Sequence, residues 1–501
     1  MCGIAGFINK SLSIKDSKNK ISNMIGSISH RGPDSIGAVV SKNYSCATAR
    51  LSIEKIEEGY QPIITSNRKF ILSLNGEIFN YKKIIKKYNF KNNINSEVKL
   101  LAELFELKGK NFINEIDGQF AISIFDIKKN KLYLFRDRYG IRPLFYKNDN
   151  QSFVYASEIK SISAYNNSVL ETCNASIAST TLFWGNINHL TSFKNVKQLP
   201  PGNYLEFYND KIEIKNYWTN PLSLNIQKPK KINFIELLTN SIKKQLHGEV
   251  GYSSYLSGGI DSSAIAFLLT KIQGSPIDTF SIQFENKEYD ETDAQNRMKN
   301  LINSNHCALK ISNQDIVNNF EKVVNHTEAH LFRTAPVPMY LLAKLVKEKG
   351  HKVVFTGEGA DEILLGYDIF GETKIRQFWS KDINSKKRPE LLKKLYYYLP
   401  QFNSDRYFQI TKEFYKKNLK NNDDLFYSHQ VRWDQYSSIK NFFNFENEES
   451  IKGSLIKSLS QILPSNFGKL DIMQKAQLIE INTLLSSYLL SSQGDRMTMA
   501  H

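Results

Sequence analysis

Residues 255–263 have the sequence YLSGGIDSS, and this stretch decides how the second half of the chain folds. The run 251–256, GYSSYL, has the length and the aromatic and apolar character of a short strand, and the run 264–269, AIAFLL, has helix-forming residues with apolar spacing. Gly258 and Gly259 allow the backbone to approach a ligand closely, and the N–H groups that open the helix favour a phosphate. The stretch therefore predicts a strand, a pyrophosphate-binding loop and a helix. It is not a Walker loop, because no Gly-Lys-Ser/Thr follows the glycines.

The alternative for this stretch is a tight turn capped by Asp261 or Ser262, and an isolated Ser-Gly-Gly would favour that interpretation. Two later segments support the ligand loop. Residues 278–284, DTFSIQF, form a predicted strand, and residues 351–362, HKVVFTGEGADE, form a predicted buried strand that ends in a turn of Gly, Asp and Glu. The carboxyl ends of parallel strands lie at the edge of a sheet where open α/β folds bind ligands.

Two carboxylates at this predicted edge indicate a magnesium site. Asp261 follows the first glycine loop and Asp361 follows the second. Carboxylate oxygens suit Mg²⁺, and substrate phosphates complete its coordination shell. For Asp361 alone, a helix cap would be the simpler interpretation.

Length and composition limit the class of protein. With 501 residues the chain is too long for one core, so two or more domains are expected. The net charge of +16 is spread along the whole chain, which argues against a nucleic-acid partner. The N-terminus lacks a signal-peptide pattern, and no run of about 18 apolar residues occurs, so a membrane partner is not expected and a cytoplasmic location is predicted.

Cysteine position is informative at the start of the chain. The four cysteines lie far apart without a CxxC motif, which favours neither a zinc site nor a disulfide framework; they are Cys2, Cys46, Cys173 and Cys307. If Met1 is removed, Cys2 carries a free α-amine that can act as general base for its own thiol. A small buried cysteine is the default interpretation for the other three.

Polar motifs follow Cys2 in a fixed order between predicted strands: HRGPD at 30–34, RLSI at 50–53, NGE at 75–77 and RDRYGIRPL at 136–144. A predicted helix at 97–107 precedes predicted strands at 119–126 and 131–137. Together with Cys-Gly-Ile at 2–4, these motifs resemble the glutaminase domain of class II glutamine amidotransferases, which have the N-terminal-nucleophile (Ntn) fold.

The resemblance implies a role for each motif residue. Cys2 would attack the side-chain amide of glutamine, and Asn75 with the backbone N–H of Gly76 would stabilise the oxyanion. Arg50 would bind the α-carboxylate in two contacts. The glutamine-binding residues it implies are Arg50, Leu51, Ser52, Ile53, Asn75, Gly76, Glu77 and Asn95. Seen alone, Arg50 would be interpreted as a surface ion pair and Asn75-Gly76 as a hairpin turn.

Asn95 departs from the pattern, because family members usually have Asp there to hold the α-ammonium of glutamine. An amide can accept a hydrogen bond but supplies no ion pair. We therefore expect weakened glutamine use, with ammonia as an alternative nitrogen source.

The second half resembles the synthetase domain of glutamine-hydrolysing asparagine synthetases, which are PP-loop ATP pyrophosphatases. The resemblance rests on Ser-Gly-Gly-x-Asp-Ser at 257–262 and Thr-Gly-Glu-Gly-x-Asp-Glu at 356–362. It implies that Glu358 helps deprotonate ammonia beside an acyl-adenylate, and that Glu328 and Arg333 lie near the aspartate site. The ATP-binding residues it implies are Leu256, Ser257, Gly258, Gly259, Asp261, Ser262, Ile282, Thr356 and Gly357, with Mg²⁺ on Asp261 and Asp361.

The predicted fold is α/β: an Ntn-type αββα glutaminase domain at 2–218, a linker at 219–231, and a PP-loop domain at 232–501 with a parallel sheet flanked by helices and a helical C-terminal part. Amphipathic segments around 396–398 and 442–445 are assigned to packing, and 472–490 is predicted as a strong helix. The DRMTMAH segment at 495–501 resembles a family segment after which relatives continue, so we expect a fragment or a truncated protein. Arg496 is expected near the adenylate or pyrophosphate.

The leading prediction is an enzyme that converts L-aspartate, L-glutamine and ATP to L-asparagine, L-glutamate, AMP and diphosphate. Close alternatives are an amidoligase for another carboxylate, such as a sugar or peptide intermediate, and a catalytically impaired homologue. Cys2 argues against β-lactam-forming synthetases, and an RNA-modifying PP-loop enzyme needs no glutaminase half. The predicted partners are small molecules only, and a homodimer is compatible with the sequence.

Overall fold

Two antiparallel six-stranded sheets form the first half of the chain. The computed structural model describes residues 2–54, 59–90, 94, 96–149, 151–224, 232–285, 290–396, 404–435 and 448–501. The strands are β1 (Gly3–Asn9), β2 (Ser35–Val40), β3 (Tyr44–Arg50), β4 (Ile63–Ile64), β5 (Phe70–Ile78), β6 (Gly118–Asp126), β7 (Lys131–Arg136), β8 (Phe145–Asn148), β9 (Ser152–Ala156), β10 (Lys197–Gln198), β11 (Asn203–Tyr208) and β12 (Lys211–Asn216). The first sheet has the order β10-β8-β9-β1-β3-β2, and the second has the order β12-β11-β7-β6-β5-β4.

The two sheets pack face to face, and helices cover their outer faces. Apolar side chains of both sheets share the central core, for example Ile4 and Tyr44 from the first and Phe125 and Leu134 from the second. The helices of this half are α1 (Ile14–Gly26), α2 (Tyr81–Lys87), α3 (Glu97–Lys108), α4 (Ile159–Asn166) and α5 (Asn174–Phe183). α1 and α4 pack on the first sheet, and α2 and α3 pack on the second. This arrangement confirms the predicted αββα architecture, and it explains why β1 is buried along its whole length.

A four-stranded parallel sheet with the order β15-β14-β13-β16 forms the centre of the second half. Its strands are β13 (Tyr252–Tyr255), β14 (Asp278–Phe284), β15 (Asn305–Ile311) and β16 (Val353–Phe355). The helices around it are α6 (Phe234–Gln245), α7 (Ile260–Gln273), α8 (Thr292–Ile302), α9 (Asn313–Thr327) and α10 (Pro336–Glu348). Successive residues Tyr255 and Leu256 belong to separate apolar clusters, one shared with α10 and one with α6 and α7. The predicted strand, glycine loop and helix around 255–263 are confirmed.

The C-terminal part is helical. Its helices are α11 (Ala360–Leu364), α12 (Asp368–Ser380), α13 (Leu392–Leu395), α14 (Asp405–Lys416), α15 (Tyr427–Trp433), α16 (Glu448–Ile462), α17 (Ile472–Glu480), a π-helix (Ile481–Asp495) and α18 (Arg496–Thr498). Tyr397, Tyr398 and residues 442–445, which the sequence assigned to packing, lie outside the described residues.

The helix predicted at 472–490 changes type at residue 481, where the α-helix α17 gives way to the π-helix. The side chains of Asn482 and Thr483 donate to the carbonyl oxygens of Leu478 and Ile479, four residues earlier, at 2.7 and 2.8 Å. These bonds compete with the backbone N–H groups that would use the same carbonyls in an α-helix. The apolar spacing therefore predicted the helix but not its geometry.

The described helices contain none with both the length and the apolar character needed to cross a bilayer. The four cysteines are all free thiols, and Cys46 is fully buried. Burial raises the pKa of Cys46 to about 12, which is typical of an inert structural thiol.

Candidate active sites

Cys2 lies immediately before β1 and faces the middle of β5. Its side chain is buried, and its backbone N–H donates to Asn75 Oδ1 at 3.1 Å. Because the oxygen of the amide accepts this bond, its NH₂ group remains as a donor. Asn75 Nδ2 is buried and has no hydrogen-bond partner among the described residues. An unused amide donor next to a thiol is suited to stabilise an oxyanion that forms there.

Gly76 continues β5 rather than forming a turn. It pairs with Phe120 of β6, so the hairpin-turn interpretation of Asn75-Gly76 is wrong. Its φ of 146° is rare for residues with a side chain, and a Cβ atom would lie 2.0 Å from the carbonyl oxygen of Gln119. Glycine is therefore required here by the close approach of the two strands.

A small cavity of about 50 Å³ opens beside Cys2. Five of the residues predicted to bind glutamine line it: Arg50, Leu51, Ile53, Gly76 and Glu77. Arg50 is 5% exposed and donates to the backbone oxygen of Glu54, which rules out the surface ion pair. Ser52 does not line this cavity, and its backbone N–H donates to Asp34. Asn95 lies outside the described residues.

Glu54, Ser96 and Glu97 also line this cavity, and sequence reasoning did not find them. Glu54 directly follows the RLSI motif, and Glu97 opens α3, so both stand next to predicted positions. Only the way α3 packs against β5 shows that their side chains face the same space as Cys2.

The loop after β13 leaves the start of α7 accessible. Gly258 has a φ of 86°, and a Cβ atom there would lie 2.7 Å from Ala294 Cβ. Gly259 is the N-cap of α7 and makes no side-chain cap bond. Ser262 accepts a bond from the Ser257 N–H, outside the helix, so neither Ser262 nor Asp261 caps α7. The first-turn N–H groups of α7 are therefore suited to bind an anion.

The loop after β16 lies against this helix start. A Cβ atom on Gly357 would lie 3.0 Å from Asp261 Cβ and 3.1 Å from the Ser262 nitrogen. Burial and then the nearby Asp261 charge raise the pKa of Asp361. Two carboxylates that repel each other beside an anion-binding helix end fit a hard divalent cation such as Mg²⁺.

Glu358 lies in the same loop and has a strongly shifted pKa. Burial, the charges of Glu362 and Asp361, and an opposing effect of Arg333 together raise it to about 7. A carboxyl group with a pKa near neutrality can act as a general base or acid at physiological pH. Of the other residues predicted to bind ATP, Leu256 is fully buried, and Ile282 and Thr356 are half-buried.

A cavity of about 630 Å³ lies between the two halves. Leu51, Ile53 and Glu77 line it and also line the small cavity beside Cys2. Thr356 and Glu358 line its other side. The cavity next to Cys2 and the cavity next to Glu358 therefore adjoin each other and have three wall residues in common.

Comparisons with known proteins agree with this two-site arrangement. The family model described as a glutamine amidotransferase domain matches residues 1–218, and the model described as asparagine synthase matches residues 233–501. The second match covers more than half of the chain.

The chain belongs to the asparagine synthase family.

Among curated relatives, this asparagine synthase family member is 30% identical over 382 residues to "Asparagine synthetase [glutamine-hydrolyzing] 1" of Bacillus subtilis, covering 74% of the chain and 60% of that protein. It is 29% identical to "Amidase chyE" of Penicillium rubens, again covering 74% of the chain and 60% of that protein. Across the first curated relatives it spans between half and two thirds of their length. Among solved structures, the B. subtilis glutamine phosphoribosylpyrophosphate amidotransferase matches 71% of the chain and 82% of its own at 14% identity, with a TM-score of 0.33.

A buried ion network joins the two halves of this asparagine synthase family member. Arg31, Arg142 and Glu158 come from the first half, and Asp495 and Arg496 come from the second. Asp495 pairs with Arg31 at 2.8 Å and with Arg142 at 3.0 Å, and Arg496 pairs with Glu158 at 3.2 Å. All five side chains are at most 4% exposed.

Arg496 and Glu328 have partners that the sequence did not indicate, and their expected places near the ligands remain predictions. Arg496 was expected near the adenylate, but its guanidinium lies between Glu158 and Glu328. Glu328 was expected near the aspartate site, but its carboxylate accepts the N–H groups of Ile159 and Lys160 at 2.7 and 2.6 Å. It therefore caps α4 from the other half of the chain.

Proposed function

We propose that this chain transfers the amide nitrogen of L-glutamine to the β-carboxylate of L-aspartate at the cost of ATP. The products are L-asparagine, L-glutamate, AMP and diphosphate. The observation that carries this proposal is that the cavity lined by Cys2 adjoins the cavity lined by Glu358, with Leu51, Ile53 and Glu77 in the walls of both. A nucleophile that releases ammonia and a base that receives it are useful together only if ammonia passes between them without protonation in bulk water.

At the first site, Cys2 acts after removal of Met1, and its α-amine accepts the thiol proton. The sulfur attacks the glutamine amide carbon, while the NH₂ group of Asn75 and the N–H of Gly76 stabilise the oxyanion. Collapse expels ammonia and leaves a γ-glutamyl thioester, which water hydrolyses to glutamate. Arg50 binds the substrate carboxylate.

At the second site, the β-carboxylate of aspartate attacks the α-phosphorus of ATP, forming an acyl-adenylate and releasing diphosphate. Ser257, Gly259 and Ser262 hold the phosphates at the start of α7. Asp261 and Asp361 would hold Mg²⁺, which neutralises phosphate charge when bound. Ammonia then attacks the acyl carbon, Glu358 accepts a proton, and AMP leaves.

A second candidate is amidation of another carboxylate by the same chemistry. It is favoured by the similarity to a relative that is named an amidase rather than an asparagine synthetase. An impaired homologue stays open because of Asn95. The predicted small-molecule partners, cytoplasmic location and homodimer remain predictions.

Exchange of labelled diphosphate into ATP tests the proposal, because it reports acyl-adenylate formation independently of any nitrogen donor. We expect exchange that depends on L-aspartate and on Mg²⁺. Exchange with a different carboxylic acid but not with aspartate would select the second candidate. If no acceptor supports exchange, the chain is a catalytically impaired homologue.

Glu358→Gln should separate adenylation from amide formation. We expect diphosphate exchange to persist, while ammonia-dependent amide formation falls about 100- to 10,000-fold, the usual contribution of a general base. Because the pKa of Glu358 is raised to about 7, its basic form is lost as pH falls below that value. In the wild type, amide formation should therefore decline as pH drops through 7 while exchange declines less.

The matched control for this variant is Glu362→Gln. The Glu362 charge raises the pKa of Glu358, so its removal should shift the acidic limb of the profile to lower pH without the large loss of rate. Equal losses of exchange and amide formation in Glu358→Gln would show that Glu358 serves binding and not proton transfer.

Asn95→Asp should strengthen glutamine use, because a carboxylate can form an ion pair with the α-ammonium of the substrate. We expect a lower KM for glutamine in glutamate release, with ammonia-dependent synthesis unchanged. An unchanged KM would show that Asn95 does not limit glutamine binding.

A further inference from the structure

His247 brings an imidazole from the second half of the chain against the glutaminase cavity. It follows α6, and its side chain is 8% exposed. The ring lies beside Phe79 and Tyr81, with centroid distances of 6.1 and 5.8 Å. The following backbone is also fixed, because the Glu249 N–H donates to the Ile53 oxygen at 2.9 Å.

Three carboxylates face one nitrogen of this ring. His247 Nε2 lies 3.9 Å from Glu54 Oε2, 3.8 Å from Glu77 Oε2 and 3.9 Å from Glu97 Oε1. These carboxylate side chains are 12 to 17% exposed. All three distances exceed a hydrogen bond, so Nε2 is surrounded by acceptors without being bonded to any of them.

The other ring nitrogen sets the protonation pattern. His247 Nδ1 lies 3.1 Å from the backbone oxygen of Lys244. A carbonyl oxygen can only accept, so Nδ1 carries the proton and donates it. This bond to a backbone carbonyl is the partner that metal-binding histidines usually have, and it leaves Nε2 as the ring nitrogen that faces the carboxylates.

The carboxylate oxygens of this cluster differ in their hydrogen bonds. Glu54 Oε2 is buried and has no hydrogen-bond partner among the described residues. Glu97 Oε1 accepts the backbone N–H of Ile78 at 2.5 Å. A lone pair and negative oxygens around one point repel each other unless a cation lies between them.

We propose that His247, Glu54 and Glu97 bind a divalent first-row transition-metal ion at the junction of the two halves, with Glu77 as a neighbouring oxygen. The ligand atoms of these three residues lie within 4.8 Å of one another. Ligands about 2.1 Å from a tetrahedral ion stand about 3.4 Å apart, so the histidine–carboxylate distances would contract by about 0.5 Å and the widest ligand pair by up to about 1.4 Å on binding. A mixed imidazole and carboxylate set selects zinc, manganese or cobalt over magnesium.

The ion would fasten the segment at 247–249 to one wall of the glutaminase cavity. Glu54, Glu77 and Glu97 all line that cavity, so the ion lies next to the glutamine site without using Cys2 or Arg50. Its removal should loosen a contact between the halves and change glutamine binding through Glu77. This ion is separate from Mg²⁺ at Asp261 and Asp361.

Binding of Mn²⁺ and Co²⁺ to the full chain, measured without ATP by equilibrium dialysis and by the visible absorption of Co²⁺, tests the proposal. We expect a single bound ion per chain. His247→Gln should weaken binding about 100-fold or more, and Glu54→Gln should weaken it about 10- to 100-fold, since even indirect partners of metal ligands have effects of that size.

Two matched controls locate the ion. His189→Gln removes another imidazole whose Nδ1 contacts a backbone carbonyl, that of Gln198, and should leave binding unchanged. Asp361→Asn, which alters the predicted Mg²⁺ site, should also leave it unchanged. If His247→Gln fails to fold, the metal affinity of Glu54→Gln tests the proposal by itself.

Three outcomes would overturn the proposal. The first is no bound ion at millimolar metal. The second is binding that persists in both Glu54→Gln and His247→Gln. The third is a loss that occurs only in Asp361→Asn. If no ion binds and Glu54→Gln raises the KM for glutamine, the carboxylates serve the ammonium group of the substrate instead.

Discussion

Replacing Cys2 with alanine should abolish glutamine-dependent product formation and leave ammonia-dependent formation intact. The thiol is the proposed nucleophile of the small cavity, so we expect a loss of at least about 1,000-fold in glutamate release. In the proposed mechanism the second site uses ammonia directly, and Cys2 is not among the described residues that line the cavity beside Glu358. Glutamate release and product formation, each measured with glutamine and with ammonium chloride, give the four rates required.

Cys173→Ala is the matched control, because Cys173 is a half-buried free thiol to which neither site assigns a role. It should retain both activities. Persistent glutamine-dependent activity in Cys2→Ala would remove the proposed nucleophile. Loss of the ammonia-dependent rate in the same variant would instead indicate that Cys2 supports the fold.

Of the substitutions proposed here, Asp495→Asn should lower the free energy of unfolding most. Asp495 is buried and contacts Arg31 and Arg142, and its neutralisation leaves two guanidinium groups without their shared counter-charge. Removing one partner of a buried ion pair typically costs about 3 to 5 kcal/mol in the free energy of unfolding. Urea denaturation, monitored by tryptophan fluorescence and by circular dichroism, measures the change.

Asp210→Asn provides the contrast, since Asp210 pairs with Lys10 at the surface and both side chains are more than half exposed. Exposed pairs contribute little because water screens them, so the free energy of unfolding should hardly change. Equal effects of the two substitutions would show that the buried network does not hold the halves together.

The same network predicts a pH dependence. Burial alone would raise the pKa of Glu158 and Asp495, but the surrounding cations outweigh it and lower both pKa values, that of Glu158 well below its ordinary range. Carboxylates with a lowered folded-state pKa stabilise the fold above their ordinary pKa of about 4. That contribution should be complete at neutral pH and should disappear as pH falls through the lowered values. Asp495→Asn should flatten this acid dependence.

The local sequence pattern was sufficient to predict those elements whose conformation depends on residues close together in the sequence. The glycine loop at 257–259 and the strand at 278–284 were predicted correctly because glycine freedom and apolar runs act over a few residues. The geometry of the segment at 481–495 was missed because side-chain bonds to carbonyls four residues earlier leave no trace in apolar spacing.

The candidate sites were predictable to different extents. Motif resemblance placed Cys2, Asn75 and Arg50 together; the structure brings them close to one another, while their chemical roles remain predictions. Long-range charge pairing was not predictable, because nothing in the sequence says that Arg31 meets Asp495 or that His247 meets Glu54. Those contacts join residues that are far apart in the sequence, and local pattern carries no information about them.

The cap that Glu328 places on α4 makes the second half of the chain complete a helix of the first. A hybrid built from this N-terminal half and the second half of another family member would leave the first amides of α4 without their acceptor and Glu158 without Arg496, unless the donor supplies an acid and an arginine in the same places. The two halves can therefore be exchanged between relatives only if the residues on both sides of the junction match. A substitution at Glu328 or Arg496 calls for a compensating substitution at the start of α4 or at Glu158.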